Sequence, residues 1–324
     1  MRFHLISFLC VLFLISCKSE SKVKSIKLAH SLGVTHPVHH AMEFLAEEVA
    51  KNSEGKLIIE IYPSSQLGSE RECLELLQIG SLGMTKVSSA VMENFSPKLK
   101  VFGYPYLFET EEVRFKVFDG EIGQRLLRNG EKYWLRGLTY FDAGSRSFYT
   151  KTKPIEHPDD LTGMKIRVME SPTAIELVTS FGAAPTPISW GELYTALQQG
   201  VVEGAENNLP SFYTSKHYEV CKYFSVDEHS SVPDILVIST IIWDDLNENE
   251  RKWLMDAVDD ATVHQRKLWK KAEQESLQAI KEAGVKVNYP DKSAFEAKSA
   301  AMIEELQTKD RELYELITEI KNVK

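Results

Sequence analysis

Apolar positions along this chain change period repeatedly, from two to about 3.6 and back. SIKLAHS alternates like a strand, and a helix from about Pro37 to Lys51 follows, with Val38, Ala41, Leu45 and Val49 on one face, Pro37 in its first turn and Gly55 near its end. LIIEIYP reads as the next strand, the stretch around Glu70 to Ile79 as a helix, and VFGYPYLF as another strand-like run. A second series begins near Arg146 with SFYT and KIRVM. It continues through a helix after Pro172, the proline-rich GAAPTPIS and a helix from Trp190 to Gln199. The run ILVISTIIW, Ile235 to Trp243, is apolar enough for a strand buried on both faces. From Asn247 and Glu250 an unbroken helical pattern runs to Gly284, with Leu254, Val258, Ala261, Leu268, Ala272 and Ile280 near helical spacing. Such a helix is roughly 50 Å long, more than one small domain is wide, and it predicts a bridge between two domains. The alternation as a whole predicts an α/β protein with mostly parallel sheets.

One residue breaks the pattern. In GMKIRVMES, Ile166 and Val168 fall on one face of a short strand while Lys165, Arg167 and Met169 fall on the other. A guanidinium buried without a partner is costly, so Arg167 on a wet face, or paired with an acid of the chain, is the ordinary expectation.

Charge and composition narrow the function. Lys and Arg number 38 against 47 Asp and Glu, a net charge of −9, with no basic block and no basic aromatic patch, which argues against a nucleic-acid partner. The opening MRFHLISFLCVLFLIS has one Arg ahead of a short apolar run, too short for a permanent membrane helix and built like a secretory signal. Beyond Cys17 only Cys73 and Cys221 remain, and their separation is as compatible with two packed thiols as with a disulfide.

Enzyme signatures are sparse. HPVHH sets His36 and His40 four apart, a spacing that chelates metal on some helices, but no Glu lies between them as in H-E-x-x-H and a third ligand is missing, so no metal site is expected. No G-x-S-x-G elbow, phosphate-binding loop or Cys-x-x-Cys pair occurs. Carboxylates are scattered, and nothing in the sequence places two of them together.

Several motifs do match known proteins. Leu14-Ile15-Ser16-Cys17 resembles the lipobox of bacterial lipoproteins, which implies cleavage of residues 1–16, diacylation of Cys17, and residues 17–24 as a polar tether; an ordinary signal with an incidental Cys17 is the alternative. LTGMKIRV, PTPISWGELYTALQQGVVEGAENN, SKHYEV and YPSSQLGSERE together resemble the solute-binding proteins of TRAP transporters, the DctP type. That resemblance implies a periplasmic-binding-protein fold, two α/β lobes joined by crossing strands and a long helix. It divides the chain into a first lobe of 25–144 plus about 232–271 and a second of 145–231 plus about 272–324. It also implies a monomeric receptor outside the cytoplasm, anchored by lipid alone, with no cofactor and no catalytic residue, which passes an organic acid to separate membrane subunits.

Residue by residue, the resemblance makes Arg167 the receptor of the ligand carboxylate, Asn207 a hydrogen-bond partner at the same end, Arg146 a second cleft arginine, and Trp190 the aromatic over the ligand. Sialate binders of the family carry Glu and Arg where this chain has Ser88 and Val91. HPVHH, KVSSAVMENF, SRSFYT, GAENN and DEHSSVPD instead look like the branch associated with glucuronate and galacturonate, for whose hydroxyls Ser31, His36, Glu70, Ser88, Asn208 and Asp234 are candidates. Two cleft arginines would equally suit a C4-dicarboxylate. A lipoprotein enzyme acting on a sugar acid is the alternative from another class, and an enzyme would deplete the acid where a receptor returns it.

Overall fold

The computed structural model describes residues 23–324; the leader 1–16, Cys17 and the tether as far as residue 22 lie outside them. Its strands are β1 (Lys24–Ala29), β2 (Leu57–Tyr62), β3 (Met84–Ser88), β4 (Leu135–Phe141), β5 (Arg146–Thr150), β6 (Lys165–Val168), β7 (Ala184–Pro187), β8 (Gly204–Asn207), β9 (Tyr223–Ser230), β10 (Asp234–Ser239) and β11 (Lys286–Asn288). They form two sheets, ordered β2-β1-β3-β10-β4 and β11-β9-β5-β8-β6-β7.

Each sheet is mixed rather than mostly parallel. β1 runs parallel to β2 and β3, and β6 parallel to β7 and β8, but β10 is antiparallel to β3 and β4, and β5 antiparallel to β8 and β9. The cause is the double crossing of the chain: β4 leaves the first sheet and β5 begins in the second, while β9 leaves the second and β10 returns to the first. The register pairs Asp234 with Phe141 and Arg146 with Ser230, so both crossings lie side by side.

The helix Glu248–Glu282 is the third connection. A capping box between Asn247 and Glu250 starts it, as the sequence spacing predicts. Leu254, Val258, Ala261 and Trp269 pack into the core of the first sheet, and Ile280 into that of the second. The helix Pro37–Asn52 lies against it, burying Val38, Met42, Leu45 and Val49.

Several expected elements differ. ILVISTIIW is a strand only to Ser239; Thr240–Asp245 is a short helix in which Ile241 is exposed. Continuous apolar runs do not distinguish strand from helix, and six residues suffice to cross this sheet. VFGYPYLF is no strand. Pro97 opens a 3-10 helix, Pro97–Gly103, that seats Phe102 edge-on against Phe118 and Tyr140. The strand in this region is MTKVS (β3), buried along its whole length. The final helix, Arg311–Lys321, also departs from the expected division. It rests on the Pro97–Gly103 turn of the first lobe, with Lys98 pairing Glu312 and Arg125 pairing Glu319, rather than on the second lobe. Cys73 and Cys221 are buried, free thiols in separate core clusters.

The capping box at Asn247 gives a stability prediction. Asn247→Ala leaves the Glu250 amide of the first turn without its acceptor and should cost about 1 kcal/mol. A lowered urea midpoint with an unchanged slope checks this.

Candidate functional site

Crossing strands place the C-terminal ends of β1 and β3 opposite those of β6 and β8, and a cavity of about 630 Å³, its mouth included, opens between them. Ser31, Glu70, Ser88, Arg146, Arg167, Trp190, Asn207, Asn208 and Asp234 all line it.

Arg167 meets neither ordinary expectation. Its neighbours Ile166 and Val168 are fully buried in the core beside Phe148 and Phe181, which turns the guanidinium to the cavity side, where it is only 2% exposed. Nε donates to the carbonyl of Ile188 at 2.8 Å, whereas the buried Nη1 has no partner. Among the described residues, no carboxylate lies within ion-pairing distance. Burial pulls its pKa below the usual arginine value, and the neighbouring Arg146 acts in the same direction. An arginine nonetheless stays charged in a protein.

Arg146 is held differently. Its Nε and Nη2 grip the Glu206 carboxylate, Nη2 also reaches the Glu206 carbonyl at 2.7 Å, and Nη1 donates to Asn207 Oδ1 at 2.8 Å. It is therefore not a second free cation. Burial favours a protonated Glu206, but Arg146 and His229 overcome that and hold the carboxyl at about 2. Behind it His229 Nδ1 lies 2.6 Å from Asp227 Oδ2, and Nε2 lies 3.6 Å from Glu206. Burial opposes the charged imidazole, but these two acids raise its pKa to about 9.

The same network orients Asn207. Its Oδ1 accepts from Arg146 and from the Asn208 amide at 2.9 Å, so its NH2 remains as the unbonded donor beside Arg167. Asn208 caps the next helix through Ser211 N at 2.9 Å. Trp190 opens the helix Trp190–Gln199 with its ring centroid 6.0 Å from the Arg167 guanidinium.

The opposite wall is anionic. Lys86, in the middle of β3, sits 3.0 Å from both Glu70 Oε1 and Asp234 Oδ1. Ser88 N donates to Glu70 Oε2 at 3.1 Å, and Ser31 Oγ lies 3.4 Å from Glu70 Oε1. Burial works against the Lys86 charge, yet the two acids raise its pKa; burial pushes Asp234 up despite Lys86. Two carboxylates against one ammonium leave this wall net negative, facing a net positive Arg167 wall.

His36 is the exception among the candidates. It lies outside the cavity lining, because its Nδ1 caps the helix Pro37–Asn52 through Val38 N and its Nε2 is 3.1 Å from Ser211 Oγ of the other lobe. His40 is bound to Glu43, and the described residues contain no metal-binding cluster. Lys86 was missed. A cation in the apolar run MTKVS is the same signal that marked Arg167, and β3 was not recognised as a strand. Glu170, Ser189 and Ser211 also line the cavity and carried no sequence signal.

Two lobes around a polarised cleft, with a cation left unpaired among the described residues, are an arrangement suited to a solute-binding protein. The chain belongs to the bacterial extracellular solute-binding protein family 7, DctP, whose model matches residues 28–310. It is thus a receptor that acts outside the cytoplasm, not an enzyme. A solute-binding protein of Chromohalobacter salexigens is 35% identical over 89% of this chain and 86% of its own length. A TRAP periplasmic solute-binding protein from Anaerococcus prevotii, solved with D-glucuronate, superposes with a TM-score of 0.90 at 36% identity, covering 93% of this chain and 98% of that one. One from Bradyrhizobium, solved with D-galacturonate, gives 0.89 at 35% identity over 92% and 100%.

The pKa of His229 sets a pH prediction. It is about 9 in the fold against an ordinary 6.5, so its stabilising contribution is complete below pH 6.5 and is lost as pH rises through 9. His229→Gln should flatten the fall in unfolding free energy across that window, a change of at most about 3 kcal/mol. Urea titrations of both proteins from pH 6 to 9.5 measure it.

Proposed function

We propose that this protein captures a hexuronate of the glucuronate or galacturonate kind and presents it to the membrane subunits of a TRAP transporter. The observation that carries this reading is the buried Arg167 guanidinium, with which no acid among the described residues pairs. Arg167 receives the sugar's carboxylate through two parallel N–H donors, and the Asn207 NH2 supports the same end. Trp190 covers an apolar ring face. Glu70, Asp234, Ser31, Ser88 and Asn208 accept from or donate to the hydroxyls. The bound glucuronate and galacturonate of the two similar structures support this choice.

The charge distribution disfavours a C4-dicarboxylate. One carboxylate would satisfy Arg167, but the second would approach a wall already net negative, and Arg146 is committed to Glu206. Capture draws the two lobes together, because only the closed form offers both walls to the ligand. Contacts between the lobes, such as His36 with Ser211 and Glu93 with Ser171 at 2.7 Å, support a closed arrangement. The mature protein is a monomer held to its membrane by acyl chains on Cys17. No helix among the described residues is long and apolar enough to cross a membrane, so delivery requires separate membrane subunits.

Titration calorimetry with glucuronate, galacturonate and succinate tests the reading. Wild type should bind a uronate and not succinate. Arg167→Ala should lose about 3 to 5 kcal/mol, on the order of hundreds-fold in affinity or more, while keeping its circular dichroism spectrum. Uronate binding at wild-type affinity in Arg167→Ala would reject the proposed clamp.

A further inference from the structure

The cleft occupies one end of the first sheet, where β1 and β3 finish and β10 begins; the other end of that sheet carries apolar side chains with no use in the site. Ile79, Trp134 and Ile241 are 69%, 54% and 44% exposed, and Val23 is exposed just ahead of β1. These are four of the nine large apolar residues exposed on the described surface. They are structurally joined: Thr240 N donates to the Trp134 carbonyl at 3.1 Å, Gln78 Nε2 donates to the Tyr133 carbonyl at 3.1 Å, and Ile241 packs on Gly80. Trp134 is held outward in a left-handed backbone conformation, φ 61°, which a bulky residue adopts at a cost.

The chain joins the fold at this same pole. Lys24, the first residue of β1, donates to the Asp245 carbonyl at 2.9 Å and pairs with Asp245 and Glu250 at 3.0 Å. Asp245 ends the six-residue helix whose first residue is bonded to Trp134, about 9 Å along the axis. From Cys17 to Lys24 is seven residues, a reach of about 24 Å at full extension. An acylated Cys17 therefore cannot carry this pole far from the lipid surface.

From these observations we infer that, in the receptor not engaged with its membrane subunits, the pole formed by Ile79, Trp134 and Ile241 lies against the bilayer, so that the receptor stands on its first lobe with the second lobe and the cleft directed to solution, and must turn about its tether to deliver. The inference rests on the proposed acylation of Cys17. Tryptophan and isoleucine at the headgroup level suit such a contact, because an indole has an apolar body and a polar N–H. Arg136 and Arg251 flank Trp243 at 4.1 and 5.4 Å and pair with Glu131 and Asp244, while Asp245 and Glu250 balance Lys24. The pole thus has no strong net field and does not require anionic lipid. Acyl chains already secure attachment; what the patch adds is orientation.

Full-length lipoprotein reconstituted into zwitterionic phosphatidylcholine vesicles, with and without brominated acyl chains, provides the test. Tryptophan emission should be quenched by the brominated lipid, and Trp134→Phe should lower that quenching, leaving only what the half-buried Trp243 contributes, while Trp190→Phe, in the cleft, leaves it in place. Quenching that is absent, or unchanged by Trp134→Phe, overturns the inference in a protein whose mass spectrum shows acyl chains. A spectrum without acyl chains refutes the anchor, and with it the premise. If the patch instead joins two copies, acyl-free protein will dimerise in light scattering and Trp134→Phe will return it to monomer, which also overturns the bilayer assignment.

Discussion

A buried positive charge without a negative partner organises this molecule. Folding takes the Arg167 guanidinium out of water, a cost that grows with burial, and the described residues offer it one carbonyl and no carboxylate in return. The surrounding elements hold the charge at the cleft: β6 fixes its direction by burying Ile166 and Val168, and the Trp190 ring closes one side. On the proposed reading, the compensation arrives with the ligand. A site of this kind stores part of its binding free energy as an unsatisfied group, and on that reading it selects an anion over a neutral sugar of similar shape.

The contrast with Arg146 gives the specificity. Both arginines are buried in the cleft wall, yet Glu206, backed by His229 and Asp227, neutralises one of them and leaves the other. Across the cavity, Lys86 is outnumbered by Glu70 and Asp234. The cleft therefore has a positive end and a negative end. An acid with one carboxylate and several hydroxyls matches both, because hydroxyls donate to carboxylates, whereas an acid with a carboxylate at each end matches only one. Arg146 instead serves position: by taking the Asn207 oxygen it turns the amide's NH2 into the available group.

Much of this was legible in the sequence because period and spacing are local. Two-residue alternation was enough to separate Arg167 from Ile166 and Val168, and the Asn247–Glu250 cap with its long apolar stripe gave the bridging helix. What escaped depended on contacts between distant segments. The direction of β5 and β10 follows from the chain crossing twice between lobes, which no window of sequence contains. Lys86, Glu70 and Asp234 converge from three segments, so their charge sum was invisible. The neutralisation of Arg146 by Glu206 needed the β5–β8 pairing, and His36, a candidate by motif, is consumed as a helix cap. The C-terminal helix found its place on the first lobe through Lys98, Lys100 and Arg125, all exposed or half-buried cations with no periodic signature.

Comparing glucuronate with glucuronamide measures the central claim most directly, since the two share every hydroxyl and the ring and differ in the charge that Arg167 is left waiting for. Calorimetry should find the amide weaker by about 3 kcal/mol or more, at least on the order of a hundredfold. Equal affinities for the two would show that the unpaired guanidinium does not govern recognition.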